Sequence, residues 1–296
     1  MAWQEQRYGA PKMTVRDREQ QNRWQSWLVL AAVVPWCAIA SLRYVITASG
    51  AGSNSRIWSR ETTVALAISL ILALLVFLAR AATPLAAVTG GVLSAALTLG
   101  RFPWYRTALP ALLALFVLTF AATRFGSAKK QELGVAENKR GRNAAQVAAN
   151  LGAAGLGAAF ALSQPNHRMF YAVAVAGALA EATADTLSSE IGEVLGGPPF
   201  LLTTLQHVTP GTDGAISLAG TAAGITGAIL IVLVAASTLG LSLVEALAAG
   251  AGAVGGLFFD SLLGATIEPR GWLNNDAVNF LSTLAAAGIA LVLAGR

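Results

Sequence analysis

Near the middle of the chain runs Glu181-Ala-Thr-Ala-Asp185-Thr186-Leu-Ser188-Ser189-Glu190. On a helix Glu181, Asp185, Ser188 and Ser189 share one face, because positions i, i+4, i+7 and i+8 stack. Further on, Gly256, Asp260 and Gly264 follow at successive i+4 steps, which predicts an Asp260 that looks out between two bare patches of backbone, with room for a metal or a phosphate. Between these two segments lies Thr209-Pro210-Gly211-Thr212-Asp213-Gly214 with Ser217. Such a turn ahead of a helix can offer backbone N–H groups and a helix N-terminus to a phosphate, although a simple N-cap produces the same pattern. Two amide rows complete the set: Asn143, Gln146 and Asn150 behind the basic residues Lys139 and Arg142, and Asn275 and Asn279 with Ser282.

Asp185, Glu190, Asp213 and Asp260 are hard oxygen donors. Mg²⁺ is commonly held by one or two carboxylates plus substrate phosphates, and Lys or Arg can balance the remaining phosphate charge. The set therefore fits phosphoryl or nucleotidyl transfer, with Asp185, Glu190 and Asp260 at the chemistry and the amides and hydroxyls (Asn143, Gln146, Asn150, Ser189, Thr212, Ser217, Asn275, Asn279) on substrate. It fits a cation or proton pathway in a transporter or channel equally well, since acids at membrane depth mark either. The spaced-aspartate signature of CDP-alcohol phosphotransferases is absent. A single cysteine, Cys37, excludes a disulfide framework and a cysteine-ligated metal centre. Two histidines, His167 and His207, argue against a His-rich metal site or a Ser-His-Asp hydrolase.

The elements that must carry these residues are membrane helices. Hydrophobic residues make up 55% of the chain, charged residues only 12%, and the mean hydropathy is +0.61; soluble domains carry roughly 25% charge. Apolar windows fall at about 24–46, 62–80, 82–99, 108–124, 143–162, 169–188, 215–239, 243–263 and 276–295, each near the length that crosses a bilayer as helix. The expectation is an all-α, polytopic transmembrane helix bundle of about nine spans, seven at the fewest. It comprises a polar N-terminal tail over 1–23 and a multi-pass domain over 24–296. The pairs Gly220/Gly224 and Gly252/Gly256 have the spacing of close helix packing.

Charge orients the bundle. Residues 1–180 hold 18 Lys/Arg against 6 Asp/Glu, whereas residues 181–296 hold 2 against 9. The basic residues cluster in the tail and in the 124–142 linker, four helices apart, so the positive-inside rule puts both, and the N-terminus, in the cytoplasm. The segments 186–214 and 262–275 then lie on the same side, and a site built from them faces the cytoplasm. Basic residues at helix ends orient helices, which sets nucleic-acid binding aside.

In the same order along the chain stand Phe120-Ala-Ala-Thr123-Arg124-Phe-Gly126 with Lys129-Lys130, then Arg142-Asn143-Ala-Ala-Gln146-Val-Ala-Ala-Asn150, and then Ala184-Asp185-Thr186-Leu-Ser188-Ser189-Glu190. These are followed by Gly211-Thr212-Asp213-Gly214 with Ser217, Asp260-Ser261-Leu-Leu-Gly264-Ala-Thr266, and Asn274-Asn275 with Asn279. Together they resemble the integral membrane family called domain of unknown function ninety-two, over about residues 85–296; the first 60 residues carry none of these motifs. For the characterised branch of that family the resemblance implies phosphorylation of phytyl phosphate to phytyl diphosphate by a nucleoside triphosphate. It would make an isoprenoid (phytyl or geranylgeranyl) phosphate the substrate, CTP or ATP the co-substrate, Mg²⁺ the cofactor and the bilayer the surroundings. Asp185, Ser189, Glu190, Asp213, Asp260 and Asn275 stand where the family motifs stand.

Overall fold

Each of the nine apolar windows forms a helix. The computed structural model describes residues 22–50, 60–100, 104–134 and 141–295, with the side chains of 48–50 left aside. Among the described residues the order is α1 (Arg23–Gly50), α2 (Arg60–Leu78), α3 (Pro84–Thr98), α4 (Leu109–Arg124), α5 (Ser127–Leu133), α6 (Ala144–Ser163) and α7 (Arg168–Leu195). A two-stranded antiparallel hairpin follows, β1 (Phe200–Leu201) with β2 (Ala215–Ile216), and then α8 (Leu218–Leu239), α9 (Leu243–Thr266) and α10 (Asn275–Ala294). The short α5 and the hairpin are additions to the sequence reading. The predicted tail lies outside the described residues except for its last two.

Local chemistry sets where the helices begin. Asn143 and Gln146 form a reciprocal capping box at the start of α6, and Ser242 and Glu245 do the same for α9. Thr83, Ser217 and Asn274 cap α3, α8 and α10 through their side-chain oxygens. Glu245, at the far end of the bundle, is thus accounted for as a cap.

The count of clear spans is lower than nine. Among the described residues six helices (α1, α2, α6, α8, α9 and α10) are long and apolar enough to cross a membrane, and α4 with α5 would make a seventh if a pair bent by 58° counts as one span. With 15 residues, α3 reaches about 22 Å, short of a hydrocarbon core of about 30 Å. The 28 residues of α7 are ample, but Glu181, Asp185, Glu190 and Glu193 remove its apolar character. Nine windows are therefore nine helices, and the three that depart from spanning character are the short α3, α4, which would need α5, and α7, which carries the acids.

The core is built around α7, which packs against α4, α6, α8, α9 and α10. Nearly every residue from Ala172 to Leu187 is buried. Alanines and glycines let the backbones close in: a Cβ on Gly220 would stand 2.4 Å from the Ser188 carbonyl oxygen, and one on Gly252 2.4 Å from that of Ala286. Both glycine pairs serve helix packing, as their spacing predicts. Large apolar side chains such as Leu70, Leu74 and Leu78 on α2, Leu233 on α8 and Leu247 on α9 point outward, as a bilayer-facing belt requires.

Candidate functional site

The polar residues converge at one end of the bundle, where side-chain and backbone bonds tie the helix ends together. Gly141 adopts φ +71, and a Cβ there would stand 2.7 Å from the Ala81 carbonyl carbon. This close approach lets Arg142 pair with the turn ahead of α3: Arg142 N donates to Ala81 O at 2.9 Å, and Thr83 N donates to Arg142 O at 3.0 Å. At the start of α1, Gln25 Nε2 donates to Trp272 O at 2.8 Å, Ser26 Oγ donates to Asp276 Oδ2 at 2.6 Å, and Gln25 Oε1 accepts from Asn274 N at 2.9 Å. These bonds fix the turn that presents Asn275.

An open cavity of about 350 Å³ occupies this end. From α7 it is lined by Asp185, Thr186, Ser188, Ser189, Glu190 and Glu193, and from α9 by Asp260, Ser261 and Gly264 with Glu268 just beyond. Arg142, Gln146 and Asn150 close one side, Asn275 and Asn279 another, and the 210–217 segment, with Thr212, Asp213 and Ser217, forms a third. Of the residues singled out in the sequence, twelve therefore meet at one site. Asn143 does not line it; its side chain is used in the α6 cap. Lys139 lies outside the described residues.

Several hydroxyls and amides already have intramolecular partners. Ser189 Oγ donates to Asp185 O at 3.0 Å, Thr212 Oγ1 donates to Thr209 O at 2.7 Å, and Asn150 Nδ2 donates to Gln146 O at 2.9 Å. Ser217 Oγ accepts from Gly220 N at 3.1 Å, so the helix start at the cavity wall is capped by the chain itself. The Ser189 and Thr212 hydroxyls keep acceptor capacity, Ser217 keeps its O–H donor, and Asn150 keeps a second N–H and its carbonyl oxygen.

The acids are less well satisfied. Glu181 lies beneath the cavity, fully buried, and neither of its carboxylate oxygens has a hydrogen-bond partner; Asp260 Oδ1 is likewise buried and unpartnered. Glu181, Asp185 and Asp260 are close enough to act on one another electrostatically. Ser282 neighbours both Glu181 and Asp260, but its hydroxyl proton goes to Asn279 O at 3.0 Å. Arg142 is the cation whose charge acts on Asp185. Unpartnered buried carboxylate oxygens are costly, and among the described residues these three atoms are the ones at this end of the bundle for which the chain supplies no donor.

Lys130 has a different place from the one its basic cluster suggests. It is 2% exposed, and Nζ donates to Ala122 O at 3.0 Å, to Thr123 O at 3.2 Å and to the Glu190 carboxylate. It thus satisfies the C-terminal carbonyls of α4 and holds Glu190 at the cavity wall. Lys129 Nζ donates to Val194 O.

One expectation is overturned. The bare backbone on either side of Asp260 is covered by the chain: a Cβ on Gly256 would stand 2.7 Å from Glu181 Cγ, and one on Gly264 2.7 Å from Gly214 N. Gly214, at φ +70, is pressed against α9 in turn, with Ala265 N only 2.1 Å from where its Cβ would be. These glycines seat α7 and the 211–214 turn on α9, so Asp260 looks into the cavity from a packed surface and not from between two bare patches. Glu193 and Glu268 are wall residues that the sequence reading missed. Each lies eight residues beyond an acid it did single out, Asp185 and Asp260, which on a helix is the same face.

A bundle of apolar helices with a lipid-facing belt and a polar cavity at one end defines a polytopic integral membrane protein. Residues 67–287 match the family described as integral membrane protein DUF92, and the chain belongs to that family. It is 42% identical over 115 residues to an uncharacterized membrane protein of Methanocaldococcus jannaschii, a match covering 39% of this chain and 48% of that one. It is 30% identical over 193 residues to an uncharacterized membrane protein of Synechocystis sp., covering 60% and 70%. Over 211 residues it is 29% identical to Protein VTE6, chloroplastic, of Arabidopsis thaliana, covering 68% and 63%. The chain thus spans about half of the first of these relatives and under two thirds of the last. No solved structure matches it.

Proposed function

We propose that the chain is a prenyl-phosphate kinase-like enzyme. It transfers a phosphoryl group from a nucleoside triphosphate, CTP or ATP, to an isoprenoid phosphate such as phytyl or geranylgeranyl phosphate, at the cytoplasmic membrane face. The observation that carries this reading is the single cavity in which Asp185, Asp260, Arg142 and two amide rows meet at the end of an otherwise apolar bundle. The family resemblance supports the same chemistry.

The donor set suits a hard divalent cation. Among the described residues no three or more His, Cys, Asp or Glu stand together as a self-sufficient metal site. Mg²⁺ would therefore be held by Asp185 and Asp260, the latter with an unpartnered oxygen, together with substrate phosphates. Bound there it would neutralise charge developing on the transferred group. Glu190, held by Lys130, acts on the wall that positions Asp185, and Asp213 faces the nucleotide side.

Arg142 binds the isoprenoid phosphate, and the Asn150, Asn275 and Asn279 amides orient the two phosphate groups in line. An oxygen of the isoprenoid monophosphate forms the new bond to the γ-phosphorus, and the bond from that phosphorus to the β-bridging oxygen breaks. The products are an isoprenoid diphosphate and a nucleoside diphosphate. A phosphate monoester is largely dianionic near pH 7, so the nucleophile needs no general base, consistent with a site without histidine.

A transport path would require polar groups through the depth of the bundle. Below Glu181, the stretch of α7 from Ala172 to Ala180 consists of buried Ala, Val, Leu and Gly, which favours an enzyme at one face. The test is to incubate purified protein with phytyl or geranylgeranyl phosphate, Mg²⁺, and CTP or ATP. Diphosphate is expected from at least one pairing; a folded sample that yields none from any pairing contradicts the reading.

A further inference from the structure

Arg142, Asn150 and Thr186 line a second cavity, of about 60 Å³, as well as the polar one. They stand at the junction of the two. Beyond them the wall changes character, to Leu72 and Val76 on α2, Ala86 and Gly90 on α3, and Leu115 and Phe116 on α4. A polar chamber that opens through one arginine into an apolar slot matches a molecule with a phosphate at one end and a hydrocarbon at the other. Resting on the isoprenoid-phosphate reading, we infer that this slot between α2, α3, α4, α6 and α7 holds the phosphate-proximal part of the substrate's isoprenoid chain.

Gly90 separates this slot from ordinary helix packing. At Gly155 and Gly152 on the neighbouring α6 an added Cβ collides, at 2.6 Å from Leu93 Cδ2 and 2.9 Å from Val33 Cγ2. At Gly90 the nearest atom is Val147 Cγ1, at 3.9 Å. The missing side chain there leaves space rather than permitting a helix contact. From Ala86 to Ser94 the α3 wall runs about 12 Å, so the slot has length as well as width.

The outer wall is a thin one. Helix α2 buries only Thr62, Ala65 and Ser69 among its described residues, and it turns Leu70, Ile71, Leu74 and Leu75 outward. The slot is thus one helix away from the bilayer, the phase from which an isoprenoid phosphate must arrive and into which the remainder of its chain can extend.

The test uses the full chain in nanodiscs and compares geranylgeranyl phosphate with dimethylallyl phosphate, which share a headgroup and differ in chain. Gly90→Phe fills the slot. Each methylene kept out of an apolar environment costs roughly fourfold in affinity, so the long-to-short affinity ratio is expected to fall at least tenfold in Gly90→Phe; an unchanged ratio overturns the slot. A diazirine-bearing geranylgeranyl phosphate on the wild-type protein gives an independent reading that does not depend on the variant folding. Crosslinks are expected within residues 86–94 or 115–119, displaced by unlabelled geranylgeranyl phosphate and not by phosphatidic acid. Crosslinks confined to other segments, or equal displacement by phosphatidic acid, overturn the slot while leaving the phosphate-transfer reading intact. Failure of the wild type to bind either phosphate overturns that reading and the slot with it.

Discussion

The two halves of α7 are built differently, the first wholly buried and the second buried except where Asp185, Ser188, Ser189 and Glu190 open to the cavity. From Ala172 to Ala180 the helix is Ala, Val, Leu and Gly, packed by neighbours whose backbones approach to contact distance, as Gly177 does with the carbonyl of Ala286. From Glu181 to Glu190 the same helix, against largely the same neighbours, carries three carboxylates and two serines. The first half is what close packing alone produces. The second sacrifices packing stability to hold acidic groups, and on Glu181 both carboxyl oxygens lack a partner. The polar half is the one to which the proposed function assigns the ligand.

The widest gap between the halves should appear in function. Asp185→Asn is expected to lower phosphoryl transfer by about 10³-fold, the scale seen when one stabilising electrostatic group is lost, while leaving the unfolding midpoint in detergent unchanged or raised. An equal loss of folding and activity would erase the distinction. Next in size is Lys130→Met, which strands Glu190 and two α4 carbonyls. Breaking a largely buried pair on one side costs about 3 kcal/mol, measurable by chemical denaturation, with Lys130→Arg retaining more of the stability.

In the apolar half, Ala176→Leu adds volume at a fully buried position and should destabilise by about 2 kcal/mol through overpacking. Its effect on transfer should follow the fraction of protein left folded. Smallest is Glu181→Met, which replaces an unsatisfied buried acid with an apolar group of similar reach. A gain of about 1 kcal/mol in stability is expected, read in the same denaturation assay; a loss would mean that Glu181 contributes to packing as much as the alanines above it.

Much of this contrast is legible in the chain. Hydropathy locates the helices closely, with the 143–162 and 243–263 windows becoming Ala144–Ser163 and Leu243–Thr266, because apolar length is a strong physical requirement of a bilayer. Helical periodicity finds Asp185, Asp260 and the amide rows, since residues on one face stay on one face in any bundle. What it leaves out depends on which helix meets which. Nothing local says that Lys130 folds back on Ala122 and Glu190, that Glu181 and Gly214 fill the space beside Asp260, or that Gln25 and Ser26 of α1 hold the turn before Asn275. Those outcomes belong to tertiary contacts across 8 to about 250 residues, where a residue's type fixes its chemistry and not its partner.

The most direct measurement is transfer of a labelled γ-phosphate from CTP or ATP to geranylgeranyl phosphate, run beside cation flux in proteoliposomes made from the same preparation. The account predicts label in a lipid diphosphate with the wild type, about 10³-fold less with Asp185→Asn, and no flux in either. Flux that needs no nucleotide and responds to Asp185→Asn, with no labelled diphosphate, would contradict it.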